Sequence, residues 1–142
     1  MNILNVMLDE GAVMPTRAHR DDAGLDVYLP TTIKTLYIRP NEGVDIDTGL
    51  HVQIPRGCVG LLKSKSGLNV RHGIVSEGVI DAGYTGSVHV KLYNHGYEWY
   101  KFCGGDKISQ LVVVPCYTPE PVLVDAFPAT ERGDDGFGSS GR

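Results

Sequence analysis

Apolar and polar positions alternate with a period of two along much of this chain, most clearly in Ser87-Val-His-Val-Lys-Leu-Tyr-Asn94. There Val88, Val90 and Leu92 share one face of an extended segment, while His89 and Lys91 share the other. Similar alternation and short β-branched runs, bounded by Gly, Pro and Asn, predict strands over residues 3–6, 25–29, 33–38, 44–47, 50–54, 58–62, 73–75, 88–93, 99–102, 107–114 and 122–124. Helical spacing is confined to a turn or two after Ser66-Gly67. The pattern therefore predicts an all-β fold. The 18 glycines, about 13% of the chain against an average near 7%, supply the many turns that a sandwich or jelly roll requires.

Length limits this architecture to one β domain, over residues 1–127 of the 142. The character changes at Pro128: from there to Arg142 the only large apolar residue is Phe137, set among glycines. Such a stretch cannot bury enough surface to fold alone and is expected to be a flexible C-terminal arm. The longest apolar runs, such as Leu111 to Val114, fall far short of the roughly 18 residues a membrane span needs, and the opening residues lack a basic secretory region. A cytoplasmic or nuclear protein is expected, or one in the host cytoplasm if the source is viral. Cys58, Cys103 and Cys116 are odd in number and widely spaced, which predicts buried, reduced thiols rather than a disulfide framework or a zinc site.

Charge narrows the partners. With 17 acidic against 13 basic residues the net charge is -4, which argues against stable nucleic-acid binding. A nucleoside triphosphate, carrying about four negative charges, would need cations gathered locally or a divalent metal.

Several segments offer such groups. Ser64-Lys-Ser-Gly-Leu68 provides a hydroxyl, an ammonium and exposed amides after a strand, and reads either as an anion site or as a plain Ser-Gly turn with a solvated lysine. Gly105-Asp-Lys-Ile-Ser-Gln-Leu111 is a turn entering a buried strand; its Gln110 is either satisfied by backbone or presented to a ligand. In Gly78-Val-Ile-Asp-Ala-Gly-Tyr-Thr-Gly86, glycines bracket an acid and an aromatic. That suits a tight hairpin whose backbone approaches a planar ligand, or one whose Asp81 simply caps the turn. In Arg132-Gly-Asp-Asp-Gly-Phe-Gly-Ser-Ser-Gly141 a lone aromatic among glycines can close over a flat ring, with amides and Arg132 holding an anion.

Taken together with Ala23-Gly-Leu-Asp-Val27, which follows Met14-Pro-Thr-Arg-Ala18, these segments form five motifs in one order over nearly the whole chain. In this the sequence resembles the trimeric dUTP diphosphatase (dUTPase) family. The resemblance implies a jelly-roll β-barrel, a homotrimer whose active sites are shared between subunits, Mg2+ as cofactor, and hydrolysis of dUTP to dUMP and pyrophosphate. That activity limits uracil incorporation into DNA and supplies dUMP for dTMP synthesis. It further implies Asp81 as the base that activates water, Tyr84 under the sugar, and the backbone of Gly78, Val79, Ile80 and His89 around uracil. Lys65, Ser66, Gly67 and Gln110 would lie along the α and β phosphates. Arg132, Gly138 and Ser139 would hold the γ end, with Phe137 over the base and Asp26 an outer-shell partner of the metal through water. One departure stands out: Lys65 occupies the place where the family usually carries Arg, keeping charge but losing the planar fork for bidentate phosphate contact.

Two other readings compete. The dCTP deaminase branch resembles this chain in several motifs but needs a catalytic Glu where Lys91 stands. A nucleotide sensor without catalysis could keep the pocket and lose the base or the arm, yet this chain has both.

Overall fold

The computed structural model describes residues 3–141; Met1, Asn2 and Arg142 of the expected domain and arm lie outside the described residues. Seven antiparallel strands form one curled sheet in the order β1-β4-β7-β6-β5-β9-β2, and two more, β3 and β8, form a ribbon beside it. The strands are β1 (Asn5–Leu8), β2 (Gly24–Tyr28), β3 (Thr35–Ile38), β4 (Gly43–Gln53), β5 (Cys58–Lys63), β6 (Ile74–Ile80), β7 (Ser87–Asn94), β8 (Tyr100–Cys103) and β9 (Lys107–Pro115), with the helix α1 (Ser66–His72) between β5 and β6. The all-β class is the one the alternating pattern predicts, and the curled sheet agrees with the jelly-roll β-barrel that the family resemblance implies. Val88, Val90 and Leu92 of β7 are buried and pack with Phe102, Ile108, Leu111 and the inward residues of β4.

Three strand expectations change. Residues 44–47 and 50–54 join in one long strand, because Thr48 at the break is buried and satisfied. Its hydroxyl donates to the Val88 carbonyl at 2.6 Å and accepts from the Leu50 amide at 3.2 Å. The short strand at 73–75 continues to Ile80. The polar Ser76 that interrupts its apolar pattern is buried, with its Oγ 2.7 Å from the Ser109 hydroxyl and its amide donating to Ser64 Oγ at 3.0 Å. Residues 122–124 form no strand: Val122, Leu123 and Val124 are exposed, and β-branched propensity without a neighbouring strand to pair with does not fix a ladder. The cysteines are unpaired, but they are not buried as expected; Cys103 is exposed, and Cys58 and Cys116 are half-buried near the end of the barrel.

The path of β6 shapes the molecule. Its first residues pair with β7 (Ile74↔Asn94, Val75↔Tyr93, Ser76↔Leu92), and its last pair with β5 (Glu77↔Lys63, Gly78↔Leu62, Val79↔Leu61, Ile80↔Gly60). One strand thus passes from one ladder to the other, which curls the sheet. Past Ser76 it parts from β7.

Candidate active site

That parting builds the first half of the site. Over residues 77–80 one edge of β6 is bonded to β5, while the ladder to β7 has ended, so the N–H and C=O groups of the other edge have no strand partner there among the described residues. Unpaired backbone groups seek hydrogen-bond partners, and a planar heterocycle sliding between the splayed strands can supply them. Ile80 buries its side chain and Val79 is exposed, so backbone and one apolar surface face the gap. His89 on β7 turns its imidazole outward, with Nδ1 2.9 Å from Asp45 Oδ2.

The gap is closed at its tip by residues 81–86. Asp81 is exposed there, and its carbonyl accepts from the Tyr84 amide at 3.0 Å. The Tyr84 hydroxyl donates to the Ser87 carbonyl at 2.8 Å, laying the ring across Gly86. A Cβ at position 86 would stand 2.6 Å from the Tyr84 oxygen, so the close approach depends on glycine. Tyr84 is anchored by its hydroxyl and still 46% exposed, which leaves a ring surface for a ligand.

The second half lies where β2, β9 and the turn before α1 meet. Asp26 pairs in register with Gln110, and its side chain is only 5% exposed. Lys65 donates to one of its carboxylate oxygens and Lys107 to the other, the latter at 2.7 Å. Burial pushes this carboxyl up, but the hydrogen bonds from Lys107 and Lys65 outweigh it and hold Asp26 below the usual carboxylate range. Asp26 raises Lys107 in return. A hollow of about 330 Å³ opens beside this cluster, lined by Gly24 and Gln110 and by two lysines, Lys63 and Lys65, that stand among two carboxylates, Asp22 and Asp26. Gln110 Nε2 donates to the Ser64 carbonyl at 2.9 Å. Its side chain fits only because residue 24 is glycine; a Cβ there would come within 2.1 Å of the Gln110 oxygen. A second hollow, reached past Lys65, is lined by Gly67, Arg71, His72 and Lys107. Ser66 and Gly67 open α1 with no side-chain cap, and both are exposed.

The pairing of Lys107 with Asp26 is a feature the motif reading missed. Its signal was present in the register of Gly105-Asp-Lys-Ile-Ser-Gln-Leu111, since a strand that sets Gln110 against Asp26 brings its first residue to the same end. Asp26→Asn is expected to lower the melting temperature by about 3–6 °C at pH 7, because two cations lose their shared anion while remaining able to reach solvent. The carboxyl is depressed in the folded chain. Its contribution is therefore complete above the unfolded value near 3.9 and is lost as pH falls through the folded value. Melting curves of the two proteins should converge as pH falls through that lowered folded value.

The two halves do not meet within one chain. Asp81 follows Ile80, which faces Gly60, while the turn carrying Lys65 starts beyond Lys63. At about 3.3 Å per residue they lie roughly 15 Å apart along the β5–β6 ribbon. The arm stays apart from both. Arg132 Nε donates to the Asp135 carbonyl at 2.9 Å, the Ser139 amide to the Gly136 carbonyl at 3.2 Å, and Phe137, like neighbouring Gly138, is fully exposed. Exposure begins at Tyr117, ahead of Pro128, and includes Tyr117, Leu123 and Phe127.

No group of three or more His, Cys, Asp and Glu among the described residues is arranged to hold a metal. Both oxygens of Asp26 are engaged by lysines, so hydration water of a metal would have to compete with an ammonium there. The donor set suits Mg2+ carried on phosphate oxygens and its own water rather than one caged by protein.

The dUTPase family profile matches residues 10–141 of this chain. The deoxyuridine 5'-triphosphate nucleotidohydrolase of Clostridium novyi is 35% identical over 99% of both chains. That of Mycobacterium leprae is 42% identical over 96% of this chain and 92% of its own. Among solved structures, the Staphylococcus bacteriophage 80alpha dUTPase with dUpNHpp is 35% identical, with a TM-score of 0.90 over the whole of both chains. A dUTPase mutant from phage phi11 of S. aureus, described with a coordinated structural Mg(II) ion, has a TM-score of 0.80, 35% identity and coverage of 89% of this chain and 99% of its own.

Proposed function

Because this chain belongs to the dUTPase family, we propose that its hydrolysis of dUTP to dUMP and pyrophosphate runs at a site shared between subunits. The nucleoside would sit in the gap between β6 and β7 of one chain, and the triphosphate would lie along the lysine cluster of a neighbour. The observation that carries this reading is the splayed hairpin. Backbone edges at residues 77–80 without a strand partner lie beside an exposed carboxylate and an anchored tyrosine ring.

Uracil fits such an edge. Its alternating acceptors and donor match backbone N–H and C=O groups from Gly78, Val79, Ile80 and His89; cytosine reverses part of that order, and the 5-methyl of thymine needs room a tight hairpin lacks. Tyr84 would pack on the deoxyribose, where a 2'-hydroxyl would be left crowded or unpaired. Asp81 would take a proton from a water molecule as its oxygen attacks the α-phosphorus. The bond from that phosphorus to the bridging oxygen breaks, and pyrophosphate leaves. Lys65, Ser66, Gly67 and Gln110 would hold the phosphates, with Lys107 keeping Asp26 and Lys65 in place. Mg2+ is the cofactor, and when bound to the phosphates it neutralises charge that the two lysines alone do not.

Two observations support the homotrimer as the assembly. The roughly 15 Å between Asp81 and the lysine cluster is too far for one nucleotide pose to use both from one chain. The exposed Tyr117, Leu123 and Phe127 also need an apolar surface beyond their own barrel. Sedimentation would measure the assembly directly.

Pyrophosphate release with dUTP, against dTTP, dCTP and UTP at matched concentration with Mg2+, tests the substrate assignment. A preference for dUTP of at least about 10²-fold in kcat/KM is expected, and comparable rates on UTP would refute the sugar role of Tyr84. Lys65→Arg should leave turnover within about tenfold, since charge is kept and the second hollow beside Lys65 can take the larger group. A much larger loss in the same assay would mean that the Asp26 pairing requires an ammonium.

A further inference from the structure

His51 lies on β4 beside the hairpin tip that carries Asp81 and Tyr84. Its Nδ1 is 2.9 Å from the Thr85 carbonyl oxygen and its Nε2 3.1 Å from Asp9 Oδ2. Both partners are acceptors. A neutral imidazole has one N–H, so it would set a lone pair against one of them, whereas the imidazolium donates to both. The ring is 17% exposed, which makes an opposed pair of acceptors costly there.

The surroundings favour the same charged form. Asp9 faces the ring from the segment after β1, and Asp47 acts on it from its own strand. On the β7 side, the His89 ring is taken up by Asp45 at 2.9 Å and Asp47 at 3.9 Å, and the Tyr84 hydroxyl is held at 2.8 Å by the carbonyl of Ser87, the residue opposite His51. The adjoining residues of the hairpin and β1, Thr85, Met7 and Asn5, are neutral. The Thr85 carbonyl, and then Asp9, hold the imidazole above its ordinary value. Each partner is itself fixed: the Asp9 amide donates to the Gly49 carbonyl at 2.9 Å, and Thr85 adjoins Tyr84, which is anchored at Asp81 and Ser87.

We propose that His51, as an imidazolium, is a positioning residue that clamps the tip at Thr85 to Asp9, and so sets the orientation of Asp81 and Tyr84 toward the nucleotide. The inference rests on the assignment of this hairpin to nucleoside binding. The clamp is complete below the ordinary histidine value and is lost as pH rises through the higher value of the folded chain, when one of its two hydrogen bonds must go.

Steady-state hydrolysis of dUTP by the full chain with Mg2+, from pH 6 to 9, tests it. KM of the unsubstituted protein should rise roughly fivefold through one inflection. His51→Gln, with the same hydrogen-bonding capacity at every pH, should lack that inflection and show the higher KM throughout. Ionisation of the nucleotide is common to both proteins and cancels in their ratio. Asp9→Asn, at an exposed carboxylate, should move the inflection to lower pH. Nitrogen-15 NMR of the His51 ring should find both nitrogens protonated at pH 6.5. A neutral ring at that pH, or identical KM profiles for His51→Gln and the unsubstituted protein, would overturn the clamp. Failure of the underlying assignment has a different signature: Tyr84→Ala would leave KM for dUTP unchanged whatever the state of His51.

Discussion

Asp81→Asn is expected to bind dUTP within a few-fold of the unsubstituted protein while kcat falls by roughly 10²- to 10⁴-fold, the range of a positioned general base. The amide is nearly isosteric, and the Asp81 group that holds the tip together is its backbone carbonyl, which accepts from the Tyr84 amide. The hairpin and the unpaired edge of β6 should therefore survive the change, and only the capacity to accept a proton from water is removed. Single-turnover hydrolysis, measured beside equilibrium binding of a non-hydrolysable analogue, separates the two effects. A wild-type rate would transfer the role of base to another group. Weak binding with little change in the single-turnover rate would instead make Asp81 a ligand of the sugar alone.

Removal of the arm, residues 128–142, should lower kcat/KM by at least about 10²-fold without loss of the folded barrel. Stacking of an aromatic ring on a base contributes about 1–3 kcal/mol, and a hydrogen bond to a charged group about 1.5–3 kcal/mol. Loss of Phe137 and Arg132 together thus corresponds to the expected factor. The barrel should hold because these residues lie outside its core; Phe137 is fully exposed, and the Arg132 side chain donates to Asp135 within the arm. Phe137→Ala should lose less, about tenfold, since Arg132 and the amides near Ser139 remain. Kinetics combined with thermal melting would check both. Unchanged kcat/KM in the truncated protein would leave the fifth motif without a role in hydrolysis.

Much of this molecule was legible in its residues because local physics and final environment agree. Period-two alternation in Ser87-Val-His-Val-Lys-Leu-Tyr-Asn94 put Val88, Val90 and Leu92 inside, since a strand packed on one face admits no other register. The five motifs likewise marked the family before any contact was known, because their glycines and polar residues follow needs of backbone geometry and anion binding that recur at fixed places. Apolar composition misled at residues 122–124 and at the cysteines, which lack a covering neighbour, and the strand bounds shifted where a polar residue is buried but satisfied. Thr48 and Ser76 broke the apolar pattern, and only their partners across the sheet, Val88 and Ser109, explain why the strands run through them.

Sequence alone therefore determined the all-β class, the barrel core, the helical turn after Ser66 and the positions of the motifs, because each rests on periodicity or on residue chemistry within a short window. Tertiary structure decided the rest. The splaying of β6 from β7, the closing of Asp26 between Lys65 and Lys107, the pairing of His51 with Thr85 and Asp9, and the separation of Asp81 from the lysine cluster all join residues far apart in the chain. Such contacts depend on which strands become neighbours and in what register, a choice made by the packing of the whole core and recorded in no single segment.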